Sequence, residues 1–369
     1  MSEEVQRATI RNASEDDESQ IVELLFRAFE RWPAFELNVS PLEHLRWKMR
    51  SDPIAWRHHL VSELDGRIVA VLLAIARRVR MRGRDYLVRD GVDASADPRI
   101  RGGRVYGALA DHADMIAQNA EFDLGCGYVT NPRMWQQRRR KGRKPLGNPI
   151  QVLEKRYRAH AVVARGRAKY GGRLPAWLAV LRIKLEAAFN RLGHRPYWRP
   201  AERTWSITTL ERFDDRIEGF FEEAAKPFDF LIVKGKDYMN WRYCEPAGGR
   251  FTVRVAEQDG RILGYLVFKV GEGSGYIADL LALPGRIDVV RSLVEDALHL
   301  FREVGVELVT CWMIWRHPYN GMLRRYGFVD SRRDAGFSCY PIRPDSPDVR
   351  FLADPGARIH LTHGDSDWI

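Results

Sequence analysis

A loop rich in glycine and arginine is the segment of this chain best suited to hold a phosphate group. It reads Ala-Asp-Pro-Arg-Ile-Arg-Gly-Gly-Arg-Val-Tyr-Gly-Ala-Leu over 96–109 and runs from a predicted strand into a predicted helix. Unpaired N–H groups and the helix dipole create positive potential at a helix start. Glycine also lets a phosphate approach the backbone closely. The pattern therefore predicts an anion-binding turn, with an ordinary tight turn as the alternative.

Two carboxylates just before this loop have the right chemistry for a general base. Asp90 and Asp93 lie at the end of a strand predicted over 84–92, where a carboxylate could reach an amine. A base positioned within hydrogen-bonding distance of its target removes the proton during nucleophilic attack. Each carboxylate could instead be structural, and Glu63 is a third option for the base.

Strands and helices of recognisable pattern position these residues. Helical spacing of apolar residues and period-two alternation predict the following order. A strand at 9–11 precedes helices at 21–29 and 42–49, a hairpin at 59–77, the strand at 84–92, a helix at 101–119 and a strand at 121–129. The hairpin turns at Asp65-Gly66, a dipeptide that favours tight hairpin turns.

The same pattern returns in the second half of the chain. The spacing from Trp47 to Gly66 is 19 residues, and so is the spacing from Trp241 to Gly260. Each glycine lies in an Asp-Gly-Arg turn, and a matched helix, hairpin, strand, helix and strand follow between 238 and 314. A long period of this kind indicates a duplicated domain rather than a solenoid. We expect both tryptophans to pack in the core.

Positive charge is concentrated in the segment between the two copies. Over 131–199 there are 19 lysines and arginines against 2 acidic residues, whereas the net charge of the whole chain is +10. This excess fits either an anionic partner or a solvated linker. A basic amphipathic helix predicted over 174–192 fits either an inter-domain helix or peripheral contact with a membrane surface.

Composition narrows the class of protein further. Hydrophobic residues make up 45% of the chain and charged residues 29%, as in globular domains. No apolar run reaches the roughly 20 residues of a membrane span, and the acidic start shows no signal peptide. The four cysteines are scattered, which favours a reducing compartment and disfavours a zinc site. We therefore expect a cytoplasmic protein without a metal ion.

With its loop entering the third helix, this element order resembles the GNAT family of acyl-CoA N-acyltransferases. The family's donor motif is Pro-x-x-Arg-Gly-x-Gly-x-Gly followed by a leucine, and Pro98, Arg101, Gly102 and Leu109 match it. Arg104 and Tyr106 replace the later glycines, and Arg104 can itself pair with a phosphate. The family also places an asparagine after the next strand, near the donor's pantetheine arm.

The resemblance implies a set of site residues. Those expected to bind the donor are Ala96, Arg99, Arg101, Gly102, Gly103, Arg104, Val105 and Asn131. A backbone N–H near 94–96 would polarise the thioester carbonyl, with Asp90 or Asp93 as the base. In the second copy the family's usual acid position is occupied by Leu323, and the nearby Tyr326 is our candidate acid.

The second copy resembles a GNAT domain as well, through Asn320 and its Tyr326-Gly327-Phe328 ending. The expected fold is therefore α/β (α+β), with two GNAT-like domains, each a mixed, mostly antiparallel sheet flanked by helices. We predict domains at 1–160 and 201–345, a basic helical linker at 161–200 and an irregular tail at 346–369.

The function implied by the resemblance is acyl transfer, most simply from acetyl-CoA or another acyl-CoA to a primary amine of a small molecule or amino sugar. No metal is implied. Two alternatives remain open. One is a Fem-like aminoacyl transferase, with the basic segment binding the phosphates of a charged tRNA. The other is a GNAT-like binding protein that performs no catalysis.

Overall fold

The computed structural model describes residues 8–29, 31–33, 35–100, 104–120, 122–129, 132–157 and 203–367, with scattered positions between 175 and 188. Of the helix predicted at 174–192, Trp177, Leu181 and Leu185 are among the described helical positions, and all three are exposed. The remainder of the linker predicted at 161–200 lies outside the described residues.

The first copy contains the predicted elements in the predicted order. They are β1 (Thr9–Asn12), α1 (Glu18–Phe29), α2 (Pro41–Arg50), β2 (Leu60–Leu64), β3 (Arg67–Met81), β4 (Arg84–Ala96), α3 (Arg104–Asn119) and β5 (Leu124–Val129). Helix α4 (Pro132–Arg140) and strand β6 (Ile150–Arg156) follow. Helix α2 begins at a capping box formed by Ser40 and Glu43, with Pro41 in the first turn.

The second copy repeats this order. Its elements are β7 (Ser206–Leu210), α5 (Arg216–Ala224), β8 (Phe230–Ile232), α6 (Lys236–Tyr243), β9 (Thr252–Gln258), β10 (Arg261–Gly271), β11 (Ser274–Ala282), α7 (Ile287–Glu303), β12 (Leu308–Ile314), α8 (Pro318–Arg325) and β13 (Val329–Pro341). The predicted hairpin and long helix are confirmed. An apolar stripe that includes Val290, Leu293 and Phe301 holds α7 against the sheet.

The two copies exchange their last strands. Strand β6, which ends the first copy, pairs antiparallel with β12 of the second, and β13, which ends the second copy, pairs antiparallel with β5 of the first. The two exchanged strands also pair with each other. Among the described residues this gives one continuous order, β1-β2-β3-β4-β5-β13-β6-β12-β11-β10-β9-β7. The two copies are therefore adjacent in sequence but joined through a shared sheet.

The tryptophans that mark the repeat meet at the interface between the copies. The rings of Trp47 and Trp241 stack with their centroids 4.7 Å apart and their planes 15° from parallel. The indole N–H of Trp47 also donates to the backbone oxygen of Trp241 at 3.3 Å. A side chain on Gly248 would come within 2.7 Å of the Trp47 ring, so only glycine fits there. The prediction that both tryptophans are core residues is confirmed.

The end of the described chain is buried between the copies. Its regular structure is limited to two 3₁₀ turns and the two-residue strand β14 (Ile359–His360), which pairs with β8. Arg242 donates to the backbone oxygens of Gly364 and Ser366, at 3.0 Å each. We expected irregular structure over 346–369, but the pattern of the sequence gave no sign of this burial.

A buried charge network fastens this segment to the second copy. The ammonium of Lys234 contacts the carboxylates of both Asp279, at 2.8 Å, and Asp365. All three side chains are fully buried. The hydroxyl of Tyr243 donates to Asp279 at 3.0 Å, which helps to compensate for the lost hydration.

Removing an indole from the interface stack should destabilise both copies together. We expect Trp47→Ala or Trp241→Ala to lower the free energy of unfolding by about 3–5 kcal/mol, because each empties a filled aromatic site. The half-exposed Trp315 is the matched control, and its replacement by alanine should cost less than about 1 kcal/mol. Chemical denaturation measures all three variants. Equal losses for Trp47 and Trp315 would contradict a central role for the stack.

Removing the buried ammonium should be far more costly than removing a nearby exposed one. Lys234→Met leaves two carboxylates buried side by side, and we expect it to cost about 3–5 kcal/mol of unfolding free energy. Lys236 pairs with Asp215 at 2.5 Å on the surface, so Lys236→Met should cost at most about 1 kcal/mol. Urea unfolding followed by tryptophan fluorescence compares the two, and similar midpoints would rule out a stabilising network.

Candidate active site

The sheet of the first copy opens at the carboxyl end of β4. The ladder between parallel strands β4 and β5 ends at the pair Asp90–Cys126, although the strands continue to Ala96 and Val129. Backbone groups on the β5 side of Gly91–Ala96 therefore border a gap where a paired strand would otherwise lie. Such groups can hydrogen-bond a ligand that enters between the strands.

A β-bulge shapes this end of β4. Leu73 pairs with Val92 and Val71 with Ser95, so that Asp93 and Ala94 both lie opposite one residue of β3. Asp93 takes a φ of +45°, a conformation that costs a residue other than glycine about 1–3 kcal/mol. Packing and hydrogen bonds around the bulge must offset this strain.

The predicted base residues share one neighbourhood on the side of β4 that faces the second copy. The carboxylate of Asp93 lies 2.6 Å from Nζ of Lys48 and accepts from the indole N–H of Trp32 at 2.8 Å. Asp90 lies 3.3 Å from the guanidinium of Arg77. Burial raises the pKa of Asp90 to about 6, although Arg77 opposes the shift. Asp90 can therefore exchange a proton near neutral pH, as a base requires.

A third carboxylate enters this neighbourhood from the buried tail. Asp367 lies 3.9 Å from Nζ of Lys48, and burial raises the pKa of its carboxyl group. The charge of Asp93 raises it further, while Lys48 and Arg77 oppose that change. Sequence analysis missed Asp367, since an aperiodic tail carries no signal for where it returns.

A cavity of about 90 Å³ lies on the other side of β4, beneath α3 and α4. Its lining comes mainly from these elements and from β5, and includes Arg89, Gly91, Ala94, Tyr106, Asp114, Cys126 and Arg138. A larger cavity of about 530 Å³ adjoins it and shares Asp114, Lys141, Arg143 and Tyr340. The end of β4 therefore separates a neighbourhood rich in carboxylates from a cavity rich in arginines.

The described part of the predicted donor loop is near the gap. Ala96 ends β4 and pairs with Ala70 of β3. The side chain of Arg99 is exposed and bound to Asp97 at 2.6 Å. Arg104 begins α3, and the side chain of Val105 is buried in the core under that helix. Arg101, Gly102, Gly103 and Asn131 lie outside the described residues.

Tyr326, the candidate acid, is placed elsewhere. Its hydroxyl donates to Glu295 on α7, and its backbone oxygen accepts from Lys155 on β6. These contacts place it in the second copy, away from the two carboxylates at the end of β4. A phenol that does line the 90 Å³ cavity beside β4 is that of Tyr106, at a position where the resemblance predicts a glycine. Burial raises the pKa of Tyr106 and keeps its hydroxyl protonated.

In the corresponding gap of the second copy, a tyrosine hydroxyl occupies the freed strand edge. The ladder between β11 and β12 ends at Ile277–Cys311, but the N–H of Ala282 donates to the hydroxyl of Tyr319 at 3.2 Å. Beyond Tyr319 lies a cavity of about 490 Å³, lined by the turn before α7 with Arg286, by His317 and by Phe228. The two gaps therefore share the separation of a parallel strand pair. They differ in which polar groups remain accessible along the freed strand edge.

Two further properties bear on the type of site. In the part of the chain that the structure describes, no group of three or more His, Cys, Asp or Glu side chains is arranged to hold a metal ion. Among the same residues, every helix is too short or too polar to cross a membrane.

Neither a protein-family model nor a curated protein matches the sequence. Solved structures do match in fold. A GCN5-related N-acetyltransferase from Anabaena variabilis has a TM-score of 0.61 at 10% identity, covering 91% of this chain and 73% of that protein. An N-myristoyltransferase from Saccharomyces cerevisiae with bound myristoyl-CoA has a TM-score of 0.62 at 12% identity, covering 90% and 82%.

A tandem GNAT protein from the clavulanic acid biosynthesis pathway matches along nearly its full length. The TM-score is 0.56 at 14% identity, and the match covers 92% of this chain and 99% of that protein. These likenesses confirm the predicted fold: two GNAT-like halves with a mixed, mostly antiparallel sheet flanked by helices. At such low identities they show the fold alone.

Proposed function

We propose that this protein is an acyl-CoA-dependent N-acyltransferase whose donor site lies in the first copy. The observation that carries this proposal is the open end of β4. There an unpaired strand edge has the carboxylates Asp90 and Asp93 on one side and a cavity on the other. In the second copy the hydroxyl of Tyr319 occupies the freed strand edge, which favours the first copy as the place where a donor enters.

Each part of this arrangement has a task in acyl transfer. The turn at 101–105 would hold the donor's pyrophosphate, and Asn131 would contact its pantetheine arm. N–H groups at the bulge near 94–96 would stabilise negative charge on the thioester oxygen during attack. These residues would orient the donor so that the attacking amine meets its carbonyl carbon from the side of the carboxylates.

The base would be Asp90. Both oxygens of Asp93 are engaged by direct contacts with Lys48 and Trp32, whereas burial raises the pKa of Asp90 to about 6. The attacking nitrogen would lose its proton to Asp90 as it bonds to the carbonyl carbon. The bond from carbon to sulfur then breaks, and the thiolate takes a proton. In this scheme Tyr106 replaces Tyr326 as the acid.

The acceptor would be the primary amine of a small molecule or an amino sugar. Asp90, Asp93 and Asp367 place three carboxyl groups against the two cations Lys48 and Arg77 on the acceptor side, which leaves acceptors for the N–H groups of an amine. The aminoacyl-tRNA alternative loses part of its support. Arg138 and Arg143, which belong to the basic segment, line the internal cavity instead of an outer surface.

Reversing the charge of an arginine at the equivalent turn of each copy tests which copy binds the donor. Arg101→Glu should weaken acetyl-CoA binding by at least about tenfold, because a carboxylate then repels the pyrophosphate. Arg286→Glu makes the same change at the equivalent turn of the second copy and should leave binding within about threefold of wild type. Calorimetry with acetyl-CoA measures all three proteins. A larger loss from Arg286→Glu would move the donor site to the second copy, and a wild type that binds neither acetyl-CoA nor any other acyl-CoA would refute the proposed function.

Activity should fall as the pH drops through about 6. Asp90 accepts a proton only as a carboxylate, so protonation below its pKa removes the base and lowers kcat/KM. Asp90→Asn should lower kcat by about 100-fold or more and abolish this limb of the pH profile. Asp85→Asn, on the exposed start of β4, is the control and should keep the profile. A profile unchanged in Asp90→Asn would exclude Asp90 as the base.

A further inference from the structure

The side chain of Arg89 is buried, and its ion pair among the described residues is a long one, to a partly exposed carboxylate. It is 6% exposed, projects from β4 into the 90 Å³ cavity, and lies 3.9 Å from Asp114. Asp90 follows it on the strand, but alternate side chains point to opposite faces, and Asp90 contacts Arg77 on the other one. A guanidinium so placed has lost most of its hydration and gains only a long ion pair in return.

Two more arginines surround the same cavity. Arg138 donates from α4 to two neutral acceptors, the backbone oxygen of Gly127 at 2.9 Å and the hydroxyl of Ser338 at 2.8 Å. Arg143 packs its guanidinium 3.5 Å from the centre of the Tyr340 ring. Burial and the charge of Arg143 both lower the pKa of Arg138.

The charges around the cavity do not balance. Asp114 is the carboxylate that approaches both Arg89 and Arg143, at 3.9 and 3.5 Å, and it also accepts from Tyr340 at 3.0 Å. Lys141 is already paired with Asp111 at 2.6 Å. Two of the three guanidinium groups thus share one partly exposed carboxylate, and the third, that of Arg138, donates only to neutral acceptors. A bound anion would relieve the repulsion among them.

The position of the cavity indicates which molecule carries the anionic group. Gly91 and Ala94 line it from β4, so it adjoins the bulge where the proposed function puts the thioester carbonyl. We propose that the cavity receives the far end of the donor's acyl group, and that this end is a carboxylate bound by Arg89 and Arg138. The donor would then be the CoA thioester of a short dicarboxylic acid. This inference rests on the proposed function.

The chemistry of the lining favours a short acyl chain with a carboxylate at its end. Leu72, Ala110 and Cys126 supply apolar walls for methylene groups. The guanidinium groups of Arg89 and Arg138 offer N–H donors in the planar arrangement that binds a carboxylate through both oxygens. A plain acetyl group would leave these donors without an acceptor.

Calorimetry with acetyl-CoA and succinyl-CoA tests the inference. Wild type should bind succinyl-CoA at least about tenfold more tightly than acetyl-CoA. Arg89→Met should reduce that ratio to about two or less while changing acetyl-CoA affinity by less than about threefold. Arg84→Met, an exposed arginine on the same strand, is the matched control and should keep the wild-type ratio. Equal affinity of wild type for both thioesters would overturn the inference and leave the proposed function standing.

A second variant and two competing anions distinguish the possible outcomes. If circular dichroism shows that Arg89→Met does not fold, Arg89→Lys replaces it. Lysine keeps the positive charge but cannot bind both oxygens of a carboxylate in parallel. The preference for succinyl-CoA over acetyl-CoA should therefore fall, but not disappear. Free succinate and inorganic phosphate are titrated as well. The assignment to a carboxylate would be overturned if phosphate competed with succinyl-CoA more strongly than succinate does and lost this effect in the Arg89 variant. Failure of both thioesters to bind would refute the proposed function itself.

Discussion

The exchange of the last strands is the constraint on which the rest of this structure depends. Strands β6 and β13 each complete the sheet of the other copy and pair with each other in the middle. An unpaired sheet edge exposes a row of backbone donors and acceptors, and the exchange satisfies both inner edges at once. Neither copy is then complete without the other. The stacked Trp47 and Trp241, and the buried segment that ends at Asp367, fill the space that this joining creates.

The two copies share a backbone arrangement but surround it with different side chains. In both, a parallel pair of strands separates before the strands end. Tyr319 satisfies the freed N–H of Ala282 in the second copy, whereas the first copy has a bulge with Asp93 at positive φ and a cavity lined by arginines. A duplicated fold therefore allows one half to satisfy its separated strand internally while the other keeps groups that are costly for stability.

Buried charge is used in two contrasting ways. Around Lys234 the ammonium meets Asp279 and Asp365, and hydroxyl groups complete the shell, so the network fastens the end of the chain. Around Arg89 the described partners do not balance the charge, which favours a ligand as the missing partner. The two sites differ in how completely the buried charge is compensated, which is full around Lys234 and partial around Arg89.

The sequence by itself determined the elements of each copy, the duplication and the resemblance to the GNAT fold. These depend on local periodicity, on the Asp-Gly turns and on spacing, all of which are short-range. It also singled out Asp90 and Asp93 as candidates, because they lie on a recognisable strand. Only the tertiary structure decided the strand exchange, the return of Asp367, the distance of Tyr326 from the open strand and the convergence of Arg89 with Arg138. Those depend on which distant segments pair and which faces meet, and an aperiodic tail or a single arginine carries no local signal of that choice.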